Sequence, residues 1–211
     1  MRWLDFIFPP RVDEVVLRDI SDDEFLSLVA PRLVPDTRPG TVALLPFHDA
    51  RVRAAIHEAK YHGSERAFSL LALALSEYLR DADDVGFPKP RIAVVPIPLG
   101  KNRMKERGFN QVEEVAKRAV RGLEMKVETN LLVRTRETTS QMSLLRHKRE
   151  ENMRGAFTTS RKLRGASIAE VSRCTYIVVD DVLTTGATLQ AAIDALKDAG
   201  VKEIIPLALA H

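Results

Sequence analysis

Residues 176–199 read YIVVDDVLTTGATLQAAIDALKDA, and the reading of this stretch decides the fold. Tyr176, Ile177, Val178 and Val179 form a short apolar run bounded by charge, the pattern of a strand buried in a parallel sheet. Two carboxylates, Asp180 and Asp181, follow. Next comes a run of small and hydroxyl residues that includes Thr184, Thr185, Gly186, Ala187 and Thr188. Leu189, Ala192, Ile193 and Leu196 recur at helical spacing, and Gly200 is placed to end the helix. Unpaired backbone N–H groups at a helix start, aided by the helix dipole, attract a phosphate. Gly186 and Ala187 let the backbone come close to it, and threonine hydroxyls add donors. Ionised carboxylates at the strand end only accept hydrogen bonds, which suits the hydroxyls of a diol and repels a second phosphate. A strand-to-helix turn by itself needs no adjacent acid pair. The combination points to a phosphate site beside a diol site.

No Lys follows the glycine, so this is not a Walker loop, and the absence of Gly-x-Gly-x-x-Gly excludes a dinucleotide fingerprint. The order of apolar strand, two acids and Thr/Gly loop closely resembles the phosphoribosyl-pyrophosphate (PRPP) signature of type I phosphoribosyltransferases. The resemblance implies that Thr184, Thr185, Gly186, Ala187 and Thr188 hold the 5′-phosphate. It also implies that Asp180 and Asp181 bind the 2′- and 3′-hydroxyls, directly or through Mg2+.

The 211 residues suit one α/β domain with a small appendage. Hydrophobic content of 45% is ordinary for a globular protein, and nothing approaches the ~18 apolar residues of a membrane span. The first residues, MRWLDFIFPPR, carry Asp5 inside too short an apolar run for a signal peptide. One cysteine, Cys174, excludes an internal disulfide and a multi-cysteine metal site. A cytoplasmic protein is the expectation. The net charge of +3 is unevenly placed: residues 101–173 hold eighteen Lys/Arg against nine Asp/Glu. Such a basic block serves a polyphosphate, a nucleic acid, or solubility alone.

Along the chain, residues 1–10 are apolar and read as a short element docked on the body, with a membrane or partner contact as the weaker reading. Residues 11–40 are acidic and broken by prolines; Ser21 before Asp22, Asp23 and Glu24 reads as a helix start. A strand is expected over 41–47 and helices from 49 to 60 and from 64 to 80. Residues 81–90 have linker composition. A strand over 92–95, ended by Pro96 and Pro98, opens the second half. A basic loop over 99–108 follows, then a helix over 110–122, a strand over 127–133, a basic polar loop over 134–141, a charged helix over 144–153 and a strand over 155–158. The last strand is expected over 204–209. Strands alternating with helices imply right-handed crossovers and a mainly parallel sheet, with ligands beyond the carboxyl ends of its strands. His48, His57, His147 and His211 show no metal-ligand spacing. Lys60 and His62, before Gly63, read as helix C-terminal charge compensation or as substrate contacts.

Five segments in order resemble the ComF family of phosphoribosyltransferase-like proteins: LDFIFPPR, HEAKYHG, VVPIPL leading to RMKERGFNQ, RTRETTSQMSLLRHKREENMRGAF, and VVDDVLTTGATL. The resemblance implies a type I phosphoribosyltransferase fold, with a mainly parallel central sheet flanked by helices. It implies a small N-terminal helical hood over residues 1–85 and a catalytic core over 86–211. Members carry a four-cysteine zinc knuckle after the first segment; residues 12–39 contain no cysteine, so no zinc is expected here. The implied reaction is Mg2+-dependent displacement at C1 of PRPP by a nitrogen acceptor, with release of pyrophosphate. Leu99, Gly100, Arg103 and Arg107 match the pyrophosphate loop, and the two arginines can clamp pyrophosphate bidentately. Asn110 and Gln111 read equally as helix cap and as ligands. Gln141 and Arg149 are candidates within a loop that closes over PRPP, and Asp180, Asp181, Arg107 and Arg149 are the catalytic candidates. A small-molecule acceptor is expected as partner and a membrane is not. The alternative is a non-catalytic PRPP- or nucleotide-binding accessory of DNA uptake or a regulator, with single-stranded DNA or competence proteins as partners. Aromatic residues are too sparse in the basic block to support a stacking platform. The sequence admits a homodimer and names no acceptor.

Overall fold

A computed structural model describes residues 11–35, 37, 39–83, 91–136, 153, 155–160 and 174–211. The expected elements over 1–10 and 144–152 lie outside these residues, as do the basic connection over 161–173 and the candidates Gln141 and Arg149.

The strands are β1 (Arg32–Val34), β2 (Thr41–Leu45), β3 (Arg91–Pro96), β4 (Lys126–Val127), β5 (Leu132–Arg134), β6 (Phe157–Thr159), β7 (Cys174–Val182) and β8 (Glu203–Ala210). The helices are α1 (Val12–Asp19), α2 (Asp22–Leu26), α3 (Ala50–Tyr61), α4 (Glu65–Asp83), α5 (Lys101–Arg107), α6 (Gln111–Ala119) and α7 (Ala187–Asp198). Six strands form one sheet in the order β1-β2-β8-β7-β3-β4, with only the β1–β2 pair antiparallel. β5 and β6 pair antiparallel as a separate two-stranded unit.

β7 lies inside the sheet because its side chains are apolar on both faces, as an interior parallel strand requires. Ile177 and Val179 pack with Val94, Leu207 and Leu209 against the layer of α1, α3, α4 and α6. Tyr176 and Val178 pack with Ala93, Val95 and Ala208 against α7 and the β5–β6 unit. A helical layer thus covers each face of the sheet. The α/β architecture with a mainly parallel sheet flanked by helices agrees with the expectation.

Several local expectations need correction. Residues 1–85 do more than form a helical hood: β2 is inserted in the central sheet, parallel to β8, with Val42 opposite Leu207 and Ala43 opposite Ala208. The loop expected over 99–108 contains α5, because Gly100 and Gly108 bound a run of good helix formers, KNRMKER. The single strand expected over 127–133 is two strands in different sheets, with Thr129 and Asn130 turning between them. α1 and β1 had no expected counterpart. The Ser21 start is a full capping box: Ser21 accepts from the Glu24 N–H and the Glu24 carboxylate accepts from the Ser21 N–H.

Candidate functional site

β3 and β7 are paired through Pro96 and Val179, and the Ile97 N–H donates to Val179 O at 2.9 Å. The segment leaving β3 is therefore held against the strand end that carries Asp180 and Asp181. The convergence of these two loops, expected from topology alone, is present.

Gly186 has φ 77°, in the left-handed region where a side chain is strained. It turns the chain into α7, and no side chain caps the helix through that residue. Thr185 Oγ1 accepts from the Ala187 N–H at 3.4 Å. The first turn of α7 thus presents backbone N–H groups beside the Thr184, Thr185 and Thr188 hydroxyls. Thr184 is exposed and the other two threonines are half-buried. A helix start of this kind can cradle an anion.

Asp180 and Asp181 differ in environment. Three donors hold the Asp181 carboxylate. Its Oδ1 lies 2.9 Å from Lys60 Nζ and accepts the Val182 N–H at 2.6 Å; its Oδ2 accepts Gln111 Nε2 at 2.5 Å. Asp180 Oδ1 accepts the Asp181 N–H at 2.9 Å. Loss of hydration and the charge of Asp181 push the Asp180 carboxyl up to about 7, against the weaker opposing pull of Lys60 and Arg134. Its side chain keeps some solvent contact.

Asn110 buries its side chain between two backbones. Its Nδ2 donates to Ile97 O at 2.9 Å, and its Oδ1 accepts the Val112 N–H at 3.1 Å. It acts as the N-cap of α6 and points Gln111 at Asp181. Arg107 Nη1 donates to Gln111 Oε1 at 2.9 Å, and its guanidinium lies 5.0 Å from the centre of the Tyr61 ring. Lys60, Asp181, Gln111, Arg107 and Tyr61 therefore close a ring of contacts across α3, β7, α6 and α5. Arg107 sits in this ring as a support of Gln111, and no pyrophosphate contact has to be assumed to explain its position. Arg103 is half-buried and bonds no other described residue; Leu99 is half-buried and Gly100 buried at the start of α5.

Lys60 reads from sequence as a helix-end charge or a substrate contact, and nothing in its spacing ties it to the acid pair. The signal lies in the HEAKYHG segment, where Gly63 lets the chain pass Phe109: a Cβ there would meet its ring at 3.2 Å. The fold also brings His57, Glu58 and His62 together, with one ligand atom from each within 4.8 Å of the others. Glu58 is fully buried, and Arg11 Nε and Nη2 donate to its two oxygens at 2.8 and 2.7 Å. His57 Nδ1 lies 3.0 Å from Asp13 Oδ2. A dication at this trio would have to sit against the Arg11 guanidinium, so the donor set fits an ion pair better than a metal. Cys174 opens β7 half-buried, and burial pushes its thiol up, which disfavours the thiolate.

Among proteins of known sequence, a model of the phosphoribosyl transferase domain matches residues 108–210. Competence protein F of Haemophilus influenzae is 32% identical over 134 residues, covering 64% of this chain and 56% of that protein. DNA utilization protein YhgH of Escherichia coli is 32% identical over 135 residues with the same shares. The bifunctional protein PyrR of Bacillus pumilus is 52% identical over 48 residues, 22% of this chain and 27% of that protein. The matched part of the chain spans a little over half the length of the first two relatives.

Proposed function

We propose, for a chain that belongs to the ComF-like phosphoribosyltransferase family, that it binds PRPP and transfers the phosphoribosyl group to a nitrogen acceptor. The observation that carries this reading is the end of β7. The Asp180 carboxylate is followed by a helix start where Gly186 supplies no side-chain cap and Thr185 Oγ1 engages only the Ala187 N–H, at 3.4 Å, leaving further N–H and hydroxyl donors for a ligand. That pairing accepts from a vicinal diol at one end and donates to a phosphate at the other.

In the transfer, the bond from C1 of the ribose to the pyrophosphate oxygen breaks and a bond from C1 to the acceptor nitrogen forms. Positive charge grows on the ribose ring and negative charge on the leaving group. The loop over 184–188 fixes the 5′-phosphate, and the carboxylate at the diol lies where it favours the ring cation. Half-buried Arg103 on α5 is the residue proposed to meet the charge of the leaving group. Mg2+ carried by PRPP would neutralise pyrophosphate charge; Asp180, a hard oxygen donor with open coordination positions, fits such an ion.

Isothermal titration with PRPP and Mg2+ tests the reading. Saturable binding that Asp180→Asn weakens at least tenfold is expected. No heat of binding at millimolar PRPP overturns it. A second reading is favoured by the names of the relatives, competence protein F and DNA utilization protein: an accessory in DNA use that binds PRPP without turnover. Release of pyrophosphate across a panel of nitrogen acceptors separates the two. Anisotropy titration of labelled single-stranded DNA across salt concentrations tests the nucleic-acid arm, where real binding falls steeply with salt.

A further inference from the structure

Two large apolar side chains are left in water next to each other in the fold. Tyr61, the last residue of α3, is 59% exposed, and Met104 on α5 is 43% exposed. The Arg107 guanidinium lies 5.0 Å from the centre of the Tyr61 ring. Met104 precedes Arg107 by three residues, so the two share one side of α5. The end of α3 and this side of α5 thus offer an aromatic ring, a thioether and a guanidinium together.

The charges at this corner are unequal. Asp13, Glu58 and Asp181 each face a basic group: His57, Arg11 and Lys60. Arg107 faces no acid among the described residues. Its Nη1 donates to the neutral Gln111 amide, and its Nε and Nη2 bond no described residue. A half-buried guanidinium with that edge unused suits a carboxylate, which the Nε–Nη2 fork grips with two parallel bonds. Gln111 also donates to Asp181, so one amide side chain separates this fork from the acid pair. We infer that Tyr61, Met104 and Arg107 form the acceptor subsite and that the acceptor is a planar aromatic acid. Its ring covers Tyr61 and Met104, and its carboxylate takes the Arg107 fork. Pyrophosphate would match the charge, yet it gains nothing from a ring and a thioether.

This inference rests on the transfer reading above. Nicotinate and nicotinamide share a ring and differ in charge, so they serve as probes, with pyrophosphate as the control anion. Each is titrated into the full chain carrying methyl-labelled methionine, alone and with ribose 5-phosphate present; Met104→Leu identifies the Met104 signal. Nicotinate is expected to shift that signal saturably and to bind about tenfold tighter than nicotinamide. Tyr61→Ala and Arg107→Lys are each expected to weaken nicotinate about fivefold, with pyrophosphate affinity unchanged. Tyr61→Phe keeps the ring and restores the affinity, and Tyr61→Ala, at an exposed position, keeps the wild-type melting temperature. The inference is overturned if nicotinate leaves the Met104 signal in place under both conditions, or if nicotinamide binds equally well. It is overturned also if pyrophosphate displaces nicotinate and loses affinity in Arg107→Lys, which assigns the guanidinium to the leaving group. If PRPP with Mg2+ does not bind while nicotinate does, the donor-binding reading falls and the aromatic-acid site stands. PRPP binding without any nicotinate shift sinks this inference alone.

Discussion

Asp180 carries the charge most at odds with its surroundings. Burial and the adjacent Asp181 raise its carboxyl to about 7, so between the ordinary carboxylate range and that value the folded protein holds a proton the unfolded chain has released. Stability therefore falls as pH rises through this window. Asp180→Asn is expected to melt with the wild type near pH 4 and above it at pH 8 in the absence of ligand; thermal melts across that range check it. Gly186, at φ 77°, is the second sensitive residue. Gly186→Ala places a Cβ in left-handed backbone and is expected to cost about 1–2 kcal/mol, read by urea denaturation, with weaker phosphate binding. Both positions were legible in the sequence because acid pair, glycine and helix are contiguous there. Lys60 was not. Its partner lies over a hundred residues further along the chain, and helix-end charge is a sufficient local explanation for a lysine at that place.

At the scale of the element, the RGFNQ run works as a joint. Gly108 ends α5, and Phe109 meets Phe68 edge-on with ring centres 5.6 Å apart. Asn110 starts α6 and ties it to the end of β3, and Gln111 reaches Asp181. Asn110→Ala removes a cap and leaves Ile97 O without its donor. It is expected to cost about 1–2 kcal/mol by denaturant unfolding. The cap of α1 is a second joint, where Arg11 grips the buried Glu58 of α3. Hydrogen bonds from Arg11 hold Glu58 below its ordinary range. Arg11→Met leaves that charge unpaired, at an expected loss of about 2 kcal/mol, below the usual figure for a fully buried pair because half of Arg11 stays in water. The loss should shrink as pH falls below the ordinary glutamate range, where the carboxyl takes up a proton; melts at pH 3.5 and 7 check it. Helix existence was readable from apolar spacing at α3, α4, α6 and α7. α5 was not, since its exposed, charged sequence buries no residue and carries no apolar stripe.

For the whole molecule, the position of β2 matters most. It covers the edge of β8 with parallel backbone hydrogen bonds, and α3 and α4 cover the sheet face lined by Ile177 and Leu207. A fragment limited to residues 86–211 would bare both the strand edge and the apolar face. It is expected to lack a cooperative melt, whereas the full chain melts as one transition; calorimetry of both distinguishes this from two independent domains. The strand order was beyond sequence reading. Each strand announces its own burial, but which neighbour it pairs with depends on crossovers between distant segments. No helix among the described residues is long and apolar enough to cross a membrane.

The ring from Lys60 through Asp181, Gln111 and Arg107 to Tyr61 has a thermodynamic consequence. It joins the last turn of α3 to the end of β7 through polar contacts. Linkage is reciprocal: whatever a ligand on the cradle side does to Asp181, an event at the end of α3 does to that ligand with the same free energy. Occupancy of the cradle should therefore register as slowed amide exchange in α3 and at Phe109.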